Sequence, residues 1–451
     1  MSLASLLLDH PFADTEGLLH TADRTVSAGE AKAAARRVAD QLGARDRCAV
    51  AVQLPNGPEL VSTMVGVWLA GGVYVPVNPR QPDSEVASVL EAASPTALIN
   101  EDGVRELDGG KRYDEDVAFV TWTSGTTGRP KAVHHTHTAY FELLDRVLEP
   151  LRGGGDRSKR PTPNLIPVSM ALNAGLYNAM FGLRAGAALV IMDHFAPEEF
   201  AELVRRFEIR STVLPPAAMA MLTDADVTDL GPLKYVRSIT APLSVFQARR
   251  FAEKFQVFVL NGYGQAEVGE VIGWTAADAK AHPEKIGAVG RPHPGVDIRI
   301  DRDGHLLVRP PNTATGIDER IDAEGFIDTG DLARIDDDGF VWLEGRAGDV
   351  INRGGNKVFP ESVEEVVRLS AAVDDVAIVG VPDERLGEVP VAFLVGRPVP
   401  DEELAALCRE HLVAYKVPAA FHWVDELPRS EVGKVLRTEL VRALTSRAEA
   451  T

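Results

Sequence analysis

The feature that most constrains the fold is an alternation of short β-branched segments and helical patterns from about Ala49 to Gly264. A strand is predicted at Ala49–Leu54, a helix at Pro58–Ala70 and a second strand at Val73–Val77. The same alternation returns between Ala187 and Leu260 and includes a helix predicted at Val245–Phe255. Because neighbouring parallel strands need a crossover connection, usually a helix, this order predicts a mostly parallel sheet covered by helices on both faces. Such sheets bind ligands at the carboxyl ends of their strands.

The pattern changes after Ile286, where short strands are separated by Gly and Pro turns. This pattern of short strands and turns predicts a small β-barrel-like subdomain at about residues 286–345. A compact α+β pattern follows and ends in a helix after Lys434. We therefore predict an α/β fold in which a large N-terminal domain, 1–346, contains the mostly parallel sheets and the β-rich subdomain. A small α+β C-terminal domain is predicted at 347–451.

The composition and charge of the chain predict its cellular compartment and the classes of partner that it can bind. Hydrophobic residues make up 45% and charged residues 25% of the chain, and no apolar run is long enough to span a bilayer. A formal net charge of −19 disfavours nonspecific binding to nucleic acid. The N-terminus lacks a secretory signal pattern, and Cys48 and Cys408 are isolated in sequence. We therefore expect a cytoplasmic protein without a membrane span or a nucleic-acid partner.

A loop rich in hydroxyls and glycines directly follows the apolar strand predicted at Ala118–Trp122. Glycines allow the backbone N–H groups to approach an anion, hydroxyls add hydrogen-bond donors, and a lysine adds positive charge. The spacing differs from that of the ordinary P-loop. The segment therefore predicts a phosphate-binding loop rather than a generic surface turn. Its residues are Thr123, Ser124, Gly125, Thr126, Thr127, Gly128, Arg129, Pro130 and Lys131.

The run Thr123–Val133 resembles the signature loop of the adenylate-forming superfamily, which includes acyl-CoA synthetases, nonribosomal peptide synthetase adenylation domains and firefly luciferase. The resemblance continues through ordered motifs from about Thr25 to Leu440. It implies ATP, Mg²⁺ and coenzyme A as cofactors and two half-reactions in one pocket. A carboxylate first displaces pyrophosphate from ATP, and a thiol then attacks the acyl-adenylate and expels AMP.

The leading interpretation is an AMP-forming acid:CoA ligase that acts on a small-molecule carboxylic acid. One alternative is an acyl-AMP ligase that loads a phosphopantetheinyl acyl carrier protein. Another is a degenerate adenylate-binding protein without activity, which the retained motif residues make less attractive. Formation of a homodimer is left open.

Further motifs extend the resemblance to the nucleotide site. The run Asn261–Glu267 follows the strand predicted at Val257–Leu260 and is expected to be a ligand-binding turn. Within this run, Tyr263 matches the tyrosine that packs on adenine and Glu267 matches the glutamate that helps hold Mg²⁺. Ala266 replaces the usual threonine of this motif. The nucleotide-binding residues that the resemblance implies are Thr123, Ser124, Gly125, Thr126, Thr127, Gly128, Lys131, Ala241, Pro242, Asn261, Gly262, Tyr263, Gly264, Gln265, Asp331, Arg346 and Lys434.

Three of these residues have more specific implied roles. Asp331 matches the carboxylate that accepts hydrogen bonds from the two ribose hydroxyls, and Arg346 matches an arginine that contacts the ribose region. Lys434 matches the adenylation lysine. Because attack of a carboxylate on the α-phosphate joins two anions, an ammonium group between them stabilises the transition state. The implied catalytic residues are Lys434, Glu267, Thr126 and Lys131.

The resemblance also implies that the C-terminal domain is mobile and rotates between the two half-reactions. Gly348 stands at the hinge position, and Gly354 and Gly355 match a turn that forms the channel for the pantetheine arm of coenzyme A. A plain hairpin turn explains these two glycines equally well.

The segment Pro167–Met170 matches a family segment that normally carries an aromatic residue and a histidine, both absent here. The small and flexible side chains predict room for a bulky or polycyclic apolar acid. No aspartate lies near Met170, which disfavours α-amino acids. The histidines His134, His135 and His137 are expected to be structural. The implied acyl-binding residues are Ser169, Met170, Asn173, Gly175 and Gly264, of which the first four are expected to lie on one helix.

Overall fold

The computed structural model describes residues 2–124, 130–152, 160–239, 241–315, 320–429 and 435–449. The chain forms two compact units, of which the first comprises Met1–Asp297 and Arg309–Ile321. The second comprises Ile298–Val308 and Asp322–Thr451. The domain boundary expected after residue 346 lies inside the second unit, and it stays a prediction.

The first unit alternates helices with short strands, as its sequence pattern predicts. Its helices are α1 (Ser5–Leu8), α2 (Ala28–Leu42), α3 (Pro58–Leu69), α4 (Asp83–Ala93), α5 (His137–Arg152), α6 (Asn173–Ala185), α7 (Pro197–Arg206), α8 (Pro216–Asp224), α9 (Val245–Phe255) and α10 (Ala276–Ala281). Its strands are β1 (Gly17–His20), β2 (Thr25–Ser27), β3 (Ala49–Val52), β4 (Val73–Pro76), β5 (Ala97–Asn100), β6 (Gly103–Glu106), β7 (Val117–Ser124), β8 (Pro130–Thr136), β9 (Asn164–Ile166), β10 (Leu189–Ile191), β11 (Ser211–Val213), β12 (Tyr235–Ser238), β13 (Phe258–Gln265), β14 (Gly269–Gly273) and β15 (Arg291–Pro292).

These strands form sheets with parallel centres and antiparallel edges. One sheet has the order β6-β5-β3-β4-β7-β8, in which β3 is parallel to β4 and β5 while β7 and β8 are antiparallel. Another has the order β11-β12-β13-β14-β15, with the first three strands parallel. A third has the order β2-β1-β10-β9. The predicted α/β class is confirmed, and the hairpins at the edges make the sheets mixed.

Local signals explain where the helices start and which faces they bury. Ser27 caps α2 together with Glu30, and Ser244 caps α9 by accepting from the backbone of Gln247. Pro58 opens α3, whose residues are buried on nearly every side. A helix that is apolar all round belongs in the interior of its unit, which is where α3 packs beside α2.

The second unit contains two sheets and fewer helices. One sheet has the order β16-β17-β18-β19, and the other has the order β21-β20-β23-β22 with a further strand beside β23. The apolar core of the second sheet includes Ile351, Ile378 and Cys408. The elements are β16 (Asp297–Ile300), β17 (His305–Arg309), β18 (Ile327–Ile335), β19 (Val341–Arg346), β20 (Ile351–Arg353), β21 (Asn356–Val358), α11 (Pro360–Val367), β22 (Val373–Asp383), β23 (Gly387–Gly396), α12 (Asp401–His411), β24 (Phe421–Trp423) and α13 (Arg437–Glu449).

A helix can cross a membrane only if it is long and apolar enough. Within the described ranges, none of the helices has both the length and the apolar character needed to cross a membrane.

Candidate active site

The predicted phosphate loop connects the two strands of the β7–β8 hairpin. Thr123 pairs with Lys131 and Ser124 pairs with Pro130 across the antiparallel ladder. The preceding part of β7 is buried, which fixes the base of the hairpin in the first unit. Residues 125–129 lie outside the described residues, so the phosphate-binding roles of Gly125, Thr126, Thr127 and Gly128 stay predictions.

The residues Asn261–Gln265, which we call the adenine motif, form part of a strand. This finding corrects the expectation that they are a turn. They are the second half of β13. They continue because β14 returns antiparallel along them. A Cβ atom added to Gly264 would lie 2.1 Å from the carbonyl oxygen of Gly269, so only glycine permits the two strands to approach this closely.

Ala241 and Pro242, the expected backbone contacts of adenine, follow the neighbouring strand. That strand is β12, whose Ser238 pairs in parallel with Asn261 of β13. Both Ala241 and Pro242 are exposed and precede the capped start of α9. They therefore lie just beyond the carboxyl end of a parallel strand, where ligands of α/β sheets bind.

The side chains after Gly264 form a hydrogen-bonded chain that ends on an arginine. The Gln265 amide donates to the Tyr263 hydroxyl at 3.2 Å, and Tyr263 is 8% exposed. Arg320 donates to the Gln265 Oε1 atom at 2.7 Å and to the Glu267 Oε1 atom at 3.0 Å. Sequence reasoning missed Arg320, because a lone arginine in an irregular segment carries no motif or periodicity.

One backbone segment joins Glu267 to the hairpin. The N–H of Ala314 donates to the Glu267 carbonyl at 2.8 Å, and the N–H of Thr315 donates to the His134 carbonyl of β8 at 3.1 Å. A cleft opens beside this junction, and Tyr140 and Ala266 contribute to its lining together with Glu267. The first unit thus brings together the predicted metal-binding carboxylate and the strand that carries Lys131.

Four of the five predicted acyl-binding residues gather at the start of α6, and the fifth, Gly264, lies on β13. Ser169 and Met170 precede this helix instead of lying on it, which corrects the expectation of one continuous helix. The backbone N–H of Met170 donates to Asn56 Oδ1 at 2.8 Å. A Cβ atom on Gly175 would lie 2.1 Å from the Ser169 carbonyl oxygen, so glycine allows the helix to pack directly on this segment. Asn173 is the first residue of the helix.

A buried charge cluster links α6 to β14. Glu270 of β14 forms an ion pair with Arg237 of β12, and its Oε1 atom lies 3.1 Å from Nε2 of His293. Burial opposes ionisation of Glu270, but Arg237 and His293 outweigh it and lower the pKa of this carboxyl to about 2. Burial and the Glu270 charge together raise the pKa of Tyr177, one turn after Asn173 on α6. Tyr177 of α6 is therefore close enough to Glu270 of β14 to be affected by its charge.

The predicted ribose-binding residues meet within the second unit. Asp331 of β18 is paired with Arg346 of β19, and the Arg346 Nε atom lies 2.8 Å from Asp331 Oδ1. Arg346 also donates to the Thr329 carbonyl at 3.2 Å. The Asp331 side chain is 10% exposed and that of Arg346 is 44% exposed. The two predicted residues are thus held as one unit by the sheet register.

Gly354 and Gly355 form the two-residue turn of the β20–β21 hairpin. Their φ angles are +57° and +84°, a left-handed conformation that suits glycine at both positions. The hairpin interpretation is therefore what the local geometry supports, and a contact with coenzyme A stays a prediction. Gly348 lies in a short 3₁₀ turn at Ala347–Asp349, and an added Cβ atom would meet none of the described atoms within 4 Å.

The predicted catalytic lysine, Lys434, lies outside the described residues. The segments on either side of it are held together, because Arg429 and Val435 form a β-bridge and the N–H of Leu436 donates to the Pro428 carbonyl at 2.8 Å.

The histidines after the phosphate loop have structural contacts. His135 stacks on Phe119, and its Nε2 atom lies 2.8 Å from Thr121 Oγ1. Burial lowers the pKa of His135 to about 3, so the ring is neutral near pH 7. His137 Nδ1 accepts from the backbone of Leu3 at 3.0 Å. These contacts support the structural role expected for both residues.

A magnesium ion fits the single carboxylate of Glu267. Within the described part of the chain, no cluster of three or more His, Cys, Asp or Glu side chains could hold a metal ion. Mg²⁺ is commonly bound by one or two carboxylates together with water and substrate phosphates, so an all-protein cluster is not required. The Glu267 side chain is 15% exposed, which leaves it accessible to a ligand.

Two family models match the chain. The model described as AMP-binding enzyme matches residues 10–112 and 104–317, and the model described as AMP-binding enzyme C-terminal domain matches residues 362–434. A 3-[(3aS,4S,7aS)-7a-methyl-1,5-dioxo-octahydro-1H-inden-4-yl]propanoyl:CoA ligase of Rhodococcus jostii is 29% identical, with 87% of this chain and 88% of the ligase covered. A 2,3-dihydroxybenzoate-AMP ligase of Bacillus subtilis is 31% identical, with 90% and 86% covered.

A solved structure shows the same similarity in three dimensions. The o-succinylbenzoate CoA synthetase of Bacillus subtilis, in complex with its acyl-adenylate intermediate, is 25% identical and aligns with a TM-score of 0.84. The alignment covers 97% of this chain and 97% of the synthetase. The same synthetase has also been solved in complex with ATP and a magnesium ion.

Proposed function

The chain belongs to the family of AMP-binding enzymes, and from this premise we propose that it is an AMP-forming acid:CoA ligase. It activates a carboxylic acid with ATP and Mg²⁺ and transfers the acyl group to coenzyme A. The observation that carries the proposal is the junction at Glu267. The backbone carbonyl of Glu267 is joined through Ala314 and Thr315 to β8 of the phosphate hairpin, and Glu267 lies two residues after the end of β13, the strand of the adenine motif.

In the first half-reaction, the acid carboxylate attacks the α-phosphorus of ATP and pyrophosphate leaves. The hairpin residues from Thr123 to Lys131 donate to the phosphates, and Tyr263 packs on the adenine. Asp331 accepts from the ribose hydroxyls while Arg346 fixes its orientation. Mg²⁺, held by Glu267 when bound, offsets phosphate charge. Lys434 stabilises the charge that builds up between the two reacting anions.

In the second half-reaction, the thiol of coenzyme A attacks the acyl carbonyl and AMP leaves as an oxyanion. We propose that Gly354 and Gly355 border the pantetheine channel, and that Gly348 is the hinge of the rotating C-terminal part. The turn at Gly354 and Gly355 has no side chains, which suits close passage of a narrow chain. A carrier protein is the alternative thiol donor.

The acid is proposed to contain a ring and to be bulky. The named relatives act on an octahydroindenyl-substituted propanoate and on 2,3-dihydroxybenzoate, and the solved relative acts on o-succinylbenzoate. All three acids contain a ring system. In this chain, Ser169 replaces the larger aromatic residue expected by resemblance, and the flexible Met170 replaces the histidine. These features favour a ring over a narrow linear chain.

A product assay tests the function directly. The full chain is incubated with ATP, Mg²⁺ and a panel of cyclic, linear and α-amino acids, with either coenzyme A or a phosphopantetheinyl carrier protein as acceptor. We expect AMP and acyl-CoA to form with cyclic acids, as measured by liquid chromatography and mass spectrometry. Acyl-carrier formation without acyl-CoA would move the function to the carrier-loading alternative. No AMP with any acid would support the degenerate binding protein.

A further inference from the structure

Arg320 bridges two side chains of the adenine motif and its following turn. One guanidinium nitrogen, Nη1, lies 3.0 Å from Glu267 Oε1, and the other, Nη2, lies 2.7 Å from Gln265 Oε1. Gln265 and Glu267 are two residues apart, so the guanidinium spans both sides of Ala266. This arrangement uses the planar fork of arginine and fixes its orientation.

Arg320 is more exposed to solvent than two other arginines of the same region, Arg146 and Arg237. Arg146 is buried and donates to the carbonyl oxygens of Val268 and Glu270. Arg237 is 13% exposed at its side chain and is neutralised by Glu270. The Arg320 side chain is 29% exposed, the most of the three, and it lies on the carboxylate that we assign to Mg²⁺. Arg320 is therefore the arginine among these three that a ligand can reach.

Charge explains why a ligand-accessible arginine is useful here. The chain has a formal net charge of −19, so a triphosphate must be attracted by cations placed within the site. Arginine binds phosphate through charge-assisted hydrogen bonds and remains protonated at all relevant pH values. Ala266, which lies between the two partners of Arg320, supplies no hydroxyl to a phosphate. A guanidinium held over this position supplies donors of its own.

We propose that Arg320 is a nucleotide-contacting residue that binds the β- and γ-phosphates of ATP while Gln265 and Glu267 orient its guanidinium. The proposal rests on the proposed function, because it requires ATP to be the nucleotide. A carboxylate has two oxygens, so pairing of Glu267 Oε1 with Arg320 is compatible with a metal ion at Oε2. AMP lacks the phosphates that Arg320 contacts, and its binding does not depend on this residue.

The test compares the binding of ATP and AMP to the full chain by isothermal titration calorimetry at low salt with EDTA present, so that no metal contributes. We expect Arg320→Gln to weaken ATP binding by about tenfold or more, the range of a lost charge-assisted hydrogen bond, and to change AMP binding less than about twofold. Arg320→Lys keeps the charge without the fork, and we expect a smaller loss with the same preference for ATP.

Arg250→Gln is the matched control, because Arg250 is paired with Asp224 at 2.9 Å in the same unit and is 53% exposed. We expect it to bind both nucleotides like the unmodified chain. The inference is wrong if Arg320→Gln binds ATP normally, or if it loses ATP and AMP affinity in equal proportion, which would indicate support of Gln265 and Tyr263 alone. An unmodified chain that binds neither nucleotide would overturn the proposed function as well.

Discussion

Two carboxylates, Glu267 and Glu270, lie close together in sequence around the turn between β13 and β14, and the ion pairs that they form with arginines differ in exposure. In the Arg237–Glu270 pair the side chains are 13% and 6% exposed, whereas in the Arg320–Glu267 pair they are 29% and 15% exposed. The buried pair has a third partner in His293. Buried charges are tolerated only when they are fully paired, while accessible charges can exchange partners with a ligand. We therefore propose that Glu270 serves stability and that Glu267 serves ligand binding.

The largest effect is expected from a substitution that breaks the buried Arg237–Glu270 ion pair. Glu270→Gln removes the charge that neutralises Arg237 and should lower the free energy of unfolding by about 3–5 kcal/mol, because an unpaired charge stays buried. The same substitution at the accessible pair, Glu267→Gln, should cost about 1 kcal/mol or less. Urea unfolding of both variants measures the difference. Equal losses would remove the distinction between the two pairs.

The next effect concerns Lys434, the predicted catalytic lysine, for which we propose no structural role. Lys434→Ala should lower the rate of acid-dependent pyrophosphate exchange by about 10²–10³-fold, since it removes stabilisation made only in the transition state. Urea unfolding should be unchanged, in contrast to Glu270→Gln. Thioester formation from supplied acyl-adenylate should be retained, which serves as the control. Unchanged pyrophosphate exchange would contradict the assignment of this lysine.

The elements that sequence predicts best are those with a clear period and end signals. Helix α9 has the predicted bounds, Val245–Phe255, because its cap and its apolar period agree. The second half of β13 was predicted as a turn, since Asn261–Gln265 is rich in glycine and polar residues. Its strand conformation depends on antiparallel pairing with β14, which is a tertiary contact that local sequence does not encode.

The residues of the candidate site also fall into two groups: those that sequence motifs predict, and those that are brought together only by the fold. Glu267, Asp331 and Arg346 were found from motif resemblance, and the pairing of Asp331 with Arg346 is present in the structure. Arg320 and the Arg237–Glu270 pair were missed. Glu270 lies 33 residues from Arg237, and Arg320 lies 53 residues from Glu267, so each pair depends on the fold to bring its members together. Single charged residues are mostly solvated, and sequence alone gives no reason to select these.

A pH experiment extends the comparison to a buried group that has no opposite charge. Burial lowers the pKa of His135 from 6.5 to about 3, so the folded state holds the ring neutral while the unfolded state binds a proton below pH 6.5. The stabilising contribution is therefore complete above pH 6.5 and is lost as the pH falls toward 3. We expect His135 to account for a loss of up to about 1.4 kcal/mol per pH unit below 6.5.

Urea unfolding of the chain and of His135→Gln between pH 7 and pH 5 measures this slope. The variant cannot titrate at position 135, so its stability should fall less steeply with decreasing pH. Parallel curves for the two proteins would show that protonation of His135 does not contribute.

The smallest effect concerns a third pair with mixed exposure, Asp331 at 10% and Arg346 at 44%. Because the arginine reaches solvent, Asp331→Asn should cost about 1 kcal/mol or less in stability. It should weaken the binding of AMP and ATP alike, by about tenfold, because both nucleotides contain the ribose hydroxyls that the carboxylate accepts from. This pattern is opposite to that expected of Arg320→Gln, which should weaken the binding of ATP but not of AMP.

Calorimetry with 2′-deoxy-ATP sharpens the test of Asp331→Asn, since the variant should lose less affinity for a nucleotide that already lacks one of the two hydroxyls. If Asp331→Asn weakened only ATP, the carboxylate would act on the phosphates, and its assignment to the ribose would be wrong.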